Sequence, residues 1–220
     1  MTIPLSGQLI NLSAAFLLLV GFAMLAQRRI LSLINLFAMQ SFVLVLSTLI
    51  VAISTHQHHL YYSVGITFVL KVILIPWLLH RFIRKLNLKW DVETHIAIPT
   101  TMLLGIVLVI FAFNLAQPIS QLSGTVTRHT LGIAIAGVLL AFLMMITRRK
   151  AVSQVIGFLA MENGLFFAAT SATYGMPLVV ELGIALDVLV AMVIFGIFFF
   201  HIREAFDSLD LKHMEQLKED

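Results

Sequence analysis

The chain has 220 residues, of which 60% are hydrophobic and only 11% charged. A soluble domain carries about 25% charged residues, so a single water-soluble core is excluded. The formal net charge of +3 is gathered in short basic clusters between apolar runs, a membrane-orientation signal rather than a nucleic-acid patch, and the lack of cysteine excludes disulfides, thiolate metal sites and Cys-ligated iron–sulfur clusters.

In chain order, the apolar runs predict an all-α integral membrane protein of about seven transmembrane helices, each roughly long enough to cross about 30 Å of hydrocarbon. The opening MTIPLSGQLI lacks the basic n-region of a signal peptide, so the first run is expected to stay in the mature protein. The spans read as Leu9 to Ala26, Ile30 to Ile53, Leu60 to Leu79, Ile96 to Ala116, Thr130 to Ile146, Ala151 to Thr173 and Pro177 to Phe200. Pro99 falls in the first turn of the fourth, where its missing N–H is harmless. The polar linkers include Ser54 to His59, Arg81 to His95 and Gln117 to His129. After Arg203 the tail alternates charges with Phe206, Leu209, Leu211, Met214 and Leu217, as a short amphipathic surface helix or a frayed end would.

Basic residues give the orientation. One set of alternate loops carries Arg28 and Arg29, then Arg81, Arg84, Lys85 and Lys89, then Arg148, Arg149 and Lys150, then the tail; the other set carries only Arg128. Positive-inside bias puts the N-terminus outside and the C-terminus in the cytoplasm, as an odd number of spans requires.

An internal repeat is visible. QRRILSLINLFAMQSFVLVLS opens the second span and TRRKAVSQVIGFLAMENGLFFAATS the sixth. The third and seventh correspond more loosely, and both end on a histidine, His80 and His201. Spans one to three then match spans five to seven as a parallel repeat, with span four as the extra crossing a tandem copy needs. The organisation expected is a three-helix unit (1–90), a linking helix and loop (91–128), a second three-helix unit (129–203) and a tail (204–220).

Lys71, Glu162 and Asp187 interrupt apolar spans. A charge at the bilayer centre costs at least about 2.5–3.5 kcal/mol, so such residues face a bundle interior, a hydrated cavity or a partner. Each sits ten or eleven residues from a span end, roughly 16 Å of helix, so all three are expected near mid-membrane. Desolvation moves a carboxyl group and an ammonium toward neutrality, and a row of such groups is a proton relay. Asn163 follows Glu162, and Gln40 and Asn35 lie on the related helix as supporting polar groups. Pro76 cannot bond the Val72 carbonyl, so the third span should kink or open beside Lys71. Three readings stay open for each charge: proton transfer, structural pairing (Lys71 with Glu162, Asp187 or a neighbouring subunit's acid), and snorkelling.

Other features are weaker. His56, His58 and His59 read better as an interfacial loop than as a metal site, and Glu181 lies near the outer end of the last span. Gly132 with Ala136, and Gly137 with Ala141, suit close helix packing. No P-loop, dinucleotide fingerprint, zincin or Ser/His/Asp motif is present, so neither a catalytic centre nor a bound cofactor or metal is expected.

The strings RRKAVSQVIGFLAMENGLFFAA and ELGIALDVLVAMVIFGIFF resemble the small three-helix membrane subunit of respiratory complex I (the 4L type) and the C subunit of multisubunit cation/proton antiporters. Over its whole length the chain resembles the longer hydrogenase-4 component E family. The resemblance implies a non-catalytic subunit of an energy-converting nickel–iron hydrogenase or formate-hydrogenlyase-type complex in a bacterial or archaeal cytoplasmic membrane. Its implied partners are antiporter-like and quinone-site-subunit-like chains and the lipid bilayer, with no cofactor of its own and no nucleic acid. Asp187 stands at the family's last-helix acid. Glu162 stands about one turn after the middle-helix acid, on the same face. Lys71 has no counterpart in the small complex I subunit. A purely structural linker, or a subunit of a cation/proton antiporter, is the alternative.

Overall fold

The computed structural model describes residues 5–55, 58–85, 94–123 and 128–173. They form α1 (Leu5–Ala26), α2 (Ile30–Thr55), α3 (His58–Thr67), a π-helix (Phe68–Leu74), α4 (Ile75–Lys85), α5 (Ile98–Ser123), α6 (Arg128–Thr147) and α7 (Ala151–Thr173). Among the described residues there are six candidate membrane spans, the third being Leu60–Arg81, which runs through α3, the π-helix and α4. The predicted seventh span and the tail lie outside the described residues, so the repeat of spans one to three in spans five to seven is not visible here.

Helix ends depart from the expected boundaries for physical reasons. The Arg81–Lys85 stretch, read as linker, continues α4: Arg81 and Arg84 are exposed, and such long side chains can keep their charge in water or headgroups while the helix goes on beneath them. Likewise α5 runs through Pro118 to Ser123 instead of ending at Ala116. The proline leaves one carbonyl without its helical partner, which is tolerable at the wet end of a span. His58 and His59 begin α3 rather than lying in a loop, and the His58 ring tilts against Tyr61 with centroids 6.5 Å apart.

The third span contains the one irregular helix among those described. Along one line of the span, Ser63, Thr67, Lys71, Ile75, Leu79 and Ile83 are all buried at a four-residue spacing, with Leu60, Pro76 and Leu78 buried beside it. In an α-helix, a step of four residues overshoots a full turn by roughly 40°. Five such steps would carry Ile83 to the far side from Ser63. A π turn holds more residues and takes the drift back, and the seven-residue π-helix sits in the middle of the series. At its end the Ile75 N–H reaches back five residues to the Leu70 carbonyl. The opening expected beside Pro76 thus takes the form of a widened helix that holds one face inward.

Packing follows residue size. α6 lies between α5 and α7, α1 touches α2 and α6, and α2 packs on α1, α7 and the third span. Where α6 and α7 meet, a Cβ on Gly164 would lie 3.1 Å from the Val138 backbone nitrogen and 3.5 Å from the Gly137 carbonyl carbon. One on Gly157 would meet Met145 Cγ at 2.8 Å and the Ala141 carbonyl oxygen at 3.4 Å. Gly137 and Ala141 therefore do mark a close crossing, while Gly132 makes room for Phe113 of α5. α5 leaves Leu103, Ile106, Val107, Ile110 and Phe111 exposed, suited to lipid or to a neighbouring subunit.

One arginine ties the bundle together. Arg148, in the α6–α7 link, is 1% exposed. Its Nη1 donates to the Gln27 carbonyl at 3.0 Å, and its Nη2 to the Met24 and Leu25 carbonyls at 3.1 and 2.7 Å. Met24 and Leu25 lie in the last turn of α1 and Gln27 just after it, at the negative end of the helix, where carbonyls run short of helical donors; the Met24 carbonyl also accepts the Gln27 N–H at 3.3 Å. Burial pushes the guanidinium below its ordinary pKa, and three carbonyl acceptors offset that desolvation. Beside it, the His95 N–H donates to the Thr147 carbonyl at 2.8 Å and Arg149 Nε to His95 Nδ1 at 3.1 Å, fastening the entry to α5 onto the same link. The orientation reading of the basic clusters missed this role for Arg148. We predict that Arg148→Met lowers thermal stability of the purified protein in detergent, by roughly 1–3 kcal/mol for each carbonyl left buried and unpaired, whereas Arg149→Met leaves the melting temperature nearly unchanged.

Candidate functional site: a buried charge cluster between three spans

Lys71 projects from the π-helix and is 1% exposed; Glu162 on α7 is 3% exposed. The Lys71 ammonium lies 3.3 Å from Glu162 Oε1. It also donates to Asn163 Oδ1 at 3.2 Å, and sits 5.9 Å from the centre of the Phe166 ring, within range of a cation–π attraction. Glu162 and Asn163 are consecutive, about 100° apart around α7, so a lysine entering between them reaches both. The shared mid-membrane depth expected of Lys71 and Glu162 is what allows them to meet, and Lys71 finds its acid within its own chain.

Asn163 links this pair to α2. Its Nδ2 donates to Ser41 Oγ at 3.0 Å and to Gln40 Oε1 at 3.4 Å. An ammonium only donates, so Asn163 Oδ1 must face Lys71 and both Nδ2 protons must face α2. The amide orientation follows from its neighbours, and Gln40, Ser41 and Asn163 are all buried. The polar residue after each Ala-Met pair in the two similar sequence strings, Gln40 and Glu162, thus belongs to one network. Ser41 was not singled out by its sequence; its signal is adjacency to Gln40.

The surroundings are asymmetric. Toward the α2–α3 turn, buried Ser47, Thr48, Ser63, Thr67 and Thr170 recur along the three spans. Toward the opposite end the buried positions are mostly apolar, Ile34 and Phe37 on α2, Leu79 and Ile83 on α4, Ile156 and Leu159 on α7, with Ser153 at the start of α7 as a buried hydroxyl. The cluster therefore has a hydroxyl-rich side and a more apolar side.

Not every expected residue joins it. Asn35 is exposed on α2, five residues and hence roughly 140° around from Gln40. His80 lies nine residues beyond Lys71, and its Nδ1 is 2.9 Å from the Pro76 carbonyl. Asp187, Glu181 and His201 fall outside the described residues. Within those described, the arrangement can hold a buried charge, exchange a proton between ammonium and carboxylate, and pass polarity through an amide to α2. We predict that Asn163→Leu, which strips Lys71, Gln40 and Ser41 of one partner each, destabilises the bundle by roughly 2–4 kcal/mol, read as a lower midpoint in detergent unfolding, while Asn35→Leu has no measurable effect.

Comparison with known proteins places the chain in a lineage. It is 32% identical over 213 residues to a Mycobacterium tuberculosis protein designated uncharacterized protein Rv0085, covering 96% of both chains. It is 24% identical over 151 residues to hydrogenase-4 component E of Escherichia coli, covering 69% of this chain and 70% of that one, and to the same degree to hydrogenase-4 component E of Shigella flexneri. No family model matches the sequence, and no solved structure matches it. The chain belongs to the family of the mycobacterial protein Rv0085, with hydrogenase-4 component E as its distant homologue.

Proposed function

We propose that the protein is a non-catalytic membrane subunit of a hydrogenase-related complex, and that its buried charge cluster forms part of a path for protons through the membrane arm of that complex. The single observation that carries this reading is the Lys71–Glu162 pair, an ammonium and a carboxylate 3.3 Å apart and almost fully buried between apolar spans. Ionisable residues inside membrane spans mark ion pathways and proton relays, and a buried ion pair is by itself weak evidence of a stabilising role. Distant homology to hydrogenase-4 component E supplies the setting: a subunit among other membrane subunits, in keeping with a multi-pass protein.

The finer parts belong to the same proposal. The relay would continue through Asp187 on the last span, in the manner of the small complex I subunit and the antiporter C subunit, with Glu181 and His201 near its ends. The two three-helix units and the linking helix, the N-terminus outside and the C-terminus in the cytoplasm, and a position next to antiporter-like and quinone-site-subunit-like chains complete it. The hydroxyl-rich side would be the one from which protons arrive.

The competing reading makes the ion pair glue between the third span and α7, and it too has support, since each charge meets an opposite one. The two separate cleanly. Removing one partner strands a buried charge, so Lys71→Met alone should cost roughly 3–5 kcal/mol and impair assembly. Replacing both, Lys71→Met with Glu162→Leu, removes the desolvation cost together with the attraction and should leave the complex intact. We predict that the double variant assembles yet loses most proton translocation coupled to hydrogenase turnover in inverted membrane vesicles. Retention of full coupling in an assembled double variant would establish the pair as structural.

A further inference from the structure

The third span ends in a feature that the charge cluster does not use. On α4, Trp77, His80, Arg81 and Arg84 line an open recess of about 670 Å³. Trp77 is 55% exposed, and Arg81 and Arg84 are exposed as well. The Arg81 guanidinium stands over the Trp77 ring, 5.3 Å from its centre. His80 spends Nδ1 on the Pro76 carbonyl of its own helix, at 2.9 Å, which leaves Nε2 for whatever occupies the recess. Leu78, Leu79 and Ile83 bury the opposite face.

Position and chemistry converge on one occupant. Arg81 closes the third span, so the recess opens at the boundary between hydrocarbon and headgroups. There an exposed indole sits naturally at headgroup level. Two guanidiniums within one turn can present paired N–H groups to a phosphate. Stacking on Trp77 fixes one of them, so less side-chain freedom is lost on binding. A soluble anion would satisfy the arginines but leave the exposed remainder of the indole, beyond the Arg81 stack, uncovered; a phospholipid satisfies both, phosphate on the arginines and glycerol and upper acyl chain along Trp77. We propose that this recess is a binding site for the headgroup phosphate of an anionic phospholipid. The site is separate from the Lys71–Glu162 cluster and does not depend on the proton-path reading.

The chain contains two tryptophans, so in a W90F background Trp77 alone emits. The full-length protein is reconstituted in nanodiscs of phosphatidylcholine in which a fixed small fraction of lipid carries brominated acyl chains, as phosphatidylglycerol or as phosphatidylcholine. Brominated phosphatidylglycerol is expected to quench Trp77 several-fold more effectively than brominated phosphatidylcholine at equal mole fraction, roughly fivefold for each guanidinium engaged. R81Q/R84Q should bring the two lipids to equality. R28Q/R29Q, which removes two exposed charges from the α1–α2 link at the same end of the bundle, should keep the preference. Equal quenching by the two lipids in the W90F chain overturns the site. So does an equal loss in R28Q/R29Q, which would reduce the effect to general surface charge. Abolition of the preference by added glycerol 3-phosphate would reassign the recess to a soluble phosphate and likewise overturn the lipid. The first comparison needs no arginine variant, so it decides even if R81Q/R84Q fails to fold.

Discussion

An ammonium carried to the middle of a hydrocarbon slab has nowhere to go but to an opposite charge. Most of this bundle can be understood from that constraint. Lys71 is buried inside the bundle, and α7 brings Glu162 to within 3.3 Å of it, so the two helices must keep a common register. The remaining N–H capacity of Lys71 draws in Asn163, whose orientation then obliges α2 to supply acceptors, Gln40 and Ser41. The π-helix serves the same constraint, because it keeps Lys71 in phase with Ser63 and Thr67 on one side and Ile75 and Leu79 on the other. Small residues at the α6–α7 crossing, Gly157 and Gly164 against Ala141 and Gly137, hold α7 firmly from behind. The charge pair is thus supported by the packing around it, as a site that must keep its geometry requires.

Much of this is legible in the amino-acid sequence. The spans emerge from apolar run length, and α7 matches its expected limits, Ala151 to Thr173. Lys71 and Glu162 stand out because charge is so scarce inside spans, and their equal distance from span ends put them at one depth. What sequence cannot choose is the partner, since Glu162 and Asp187 are expected at similar depth and a neighbouring subunit's acid is a further candidate. The π-helix was foreshadowed by Pro76, but its better signal is the four-residue spacing from Ser63 to Ile83, which needs burial to be recognised. Asn35 and His80 were drawn in by similarity between the two halves, yet helical phase turns Asn35 outward and distance removes His80. Arg148 escaped because its acceptors are backbone carbonyls, which carry no sequence signature, on a helix more than a hundred residues away.

The division of labour among basic residues is instructive. Arg28, Arg29, Arg81, Arg84, Arg148 and Arg149 all fit the orientation rule, yet the structure gives them different lives. Arg28 and Arg29 are exposed on a short link. Arg81 lies against an indole at the span boundary. Arg149 holds His95, and Arg148 is swallowed by the bundle. Charge bias sets which end of a helix stays in the cytoplasm; burial and neighbours decide what each arginine does afterwards.

The contact between Arg148 and the end of α1 also has a temporal side. The donors and acceptors are separated by 121 to 124 residues, so α1 and α2 leave the ribosome long before their cap exists. At about 5–20 residues per second, the interval is roughly 6–25 s. Throughout that time the Leu25 and Gln27 carbonyls lack the arginine that later pairs with them. Only when the α6–α7 hairpin folds back does the arginine reach them and shut the first hairpin against the later helices. A chain that stalls before residue 148 would therefore hold its opening hairpin without the latch that the finished bundle supplies.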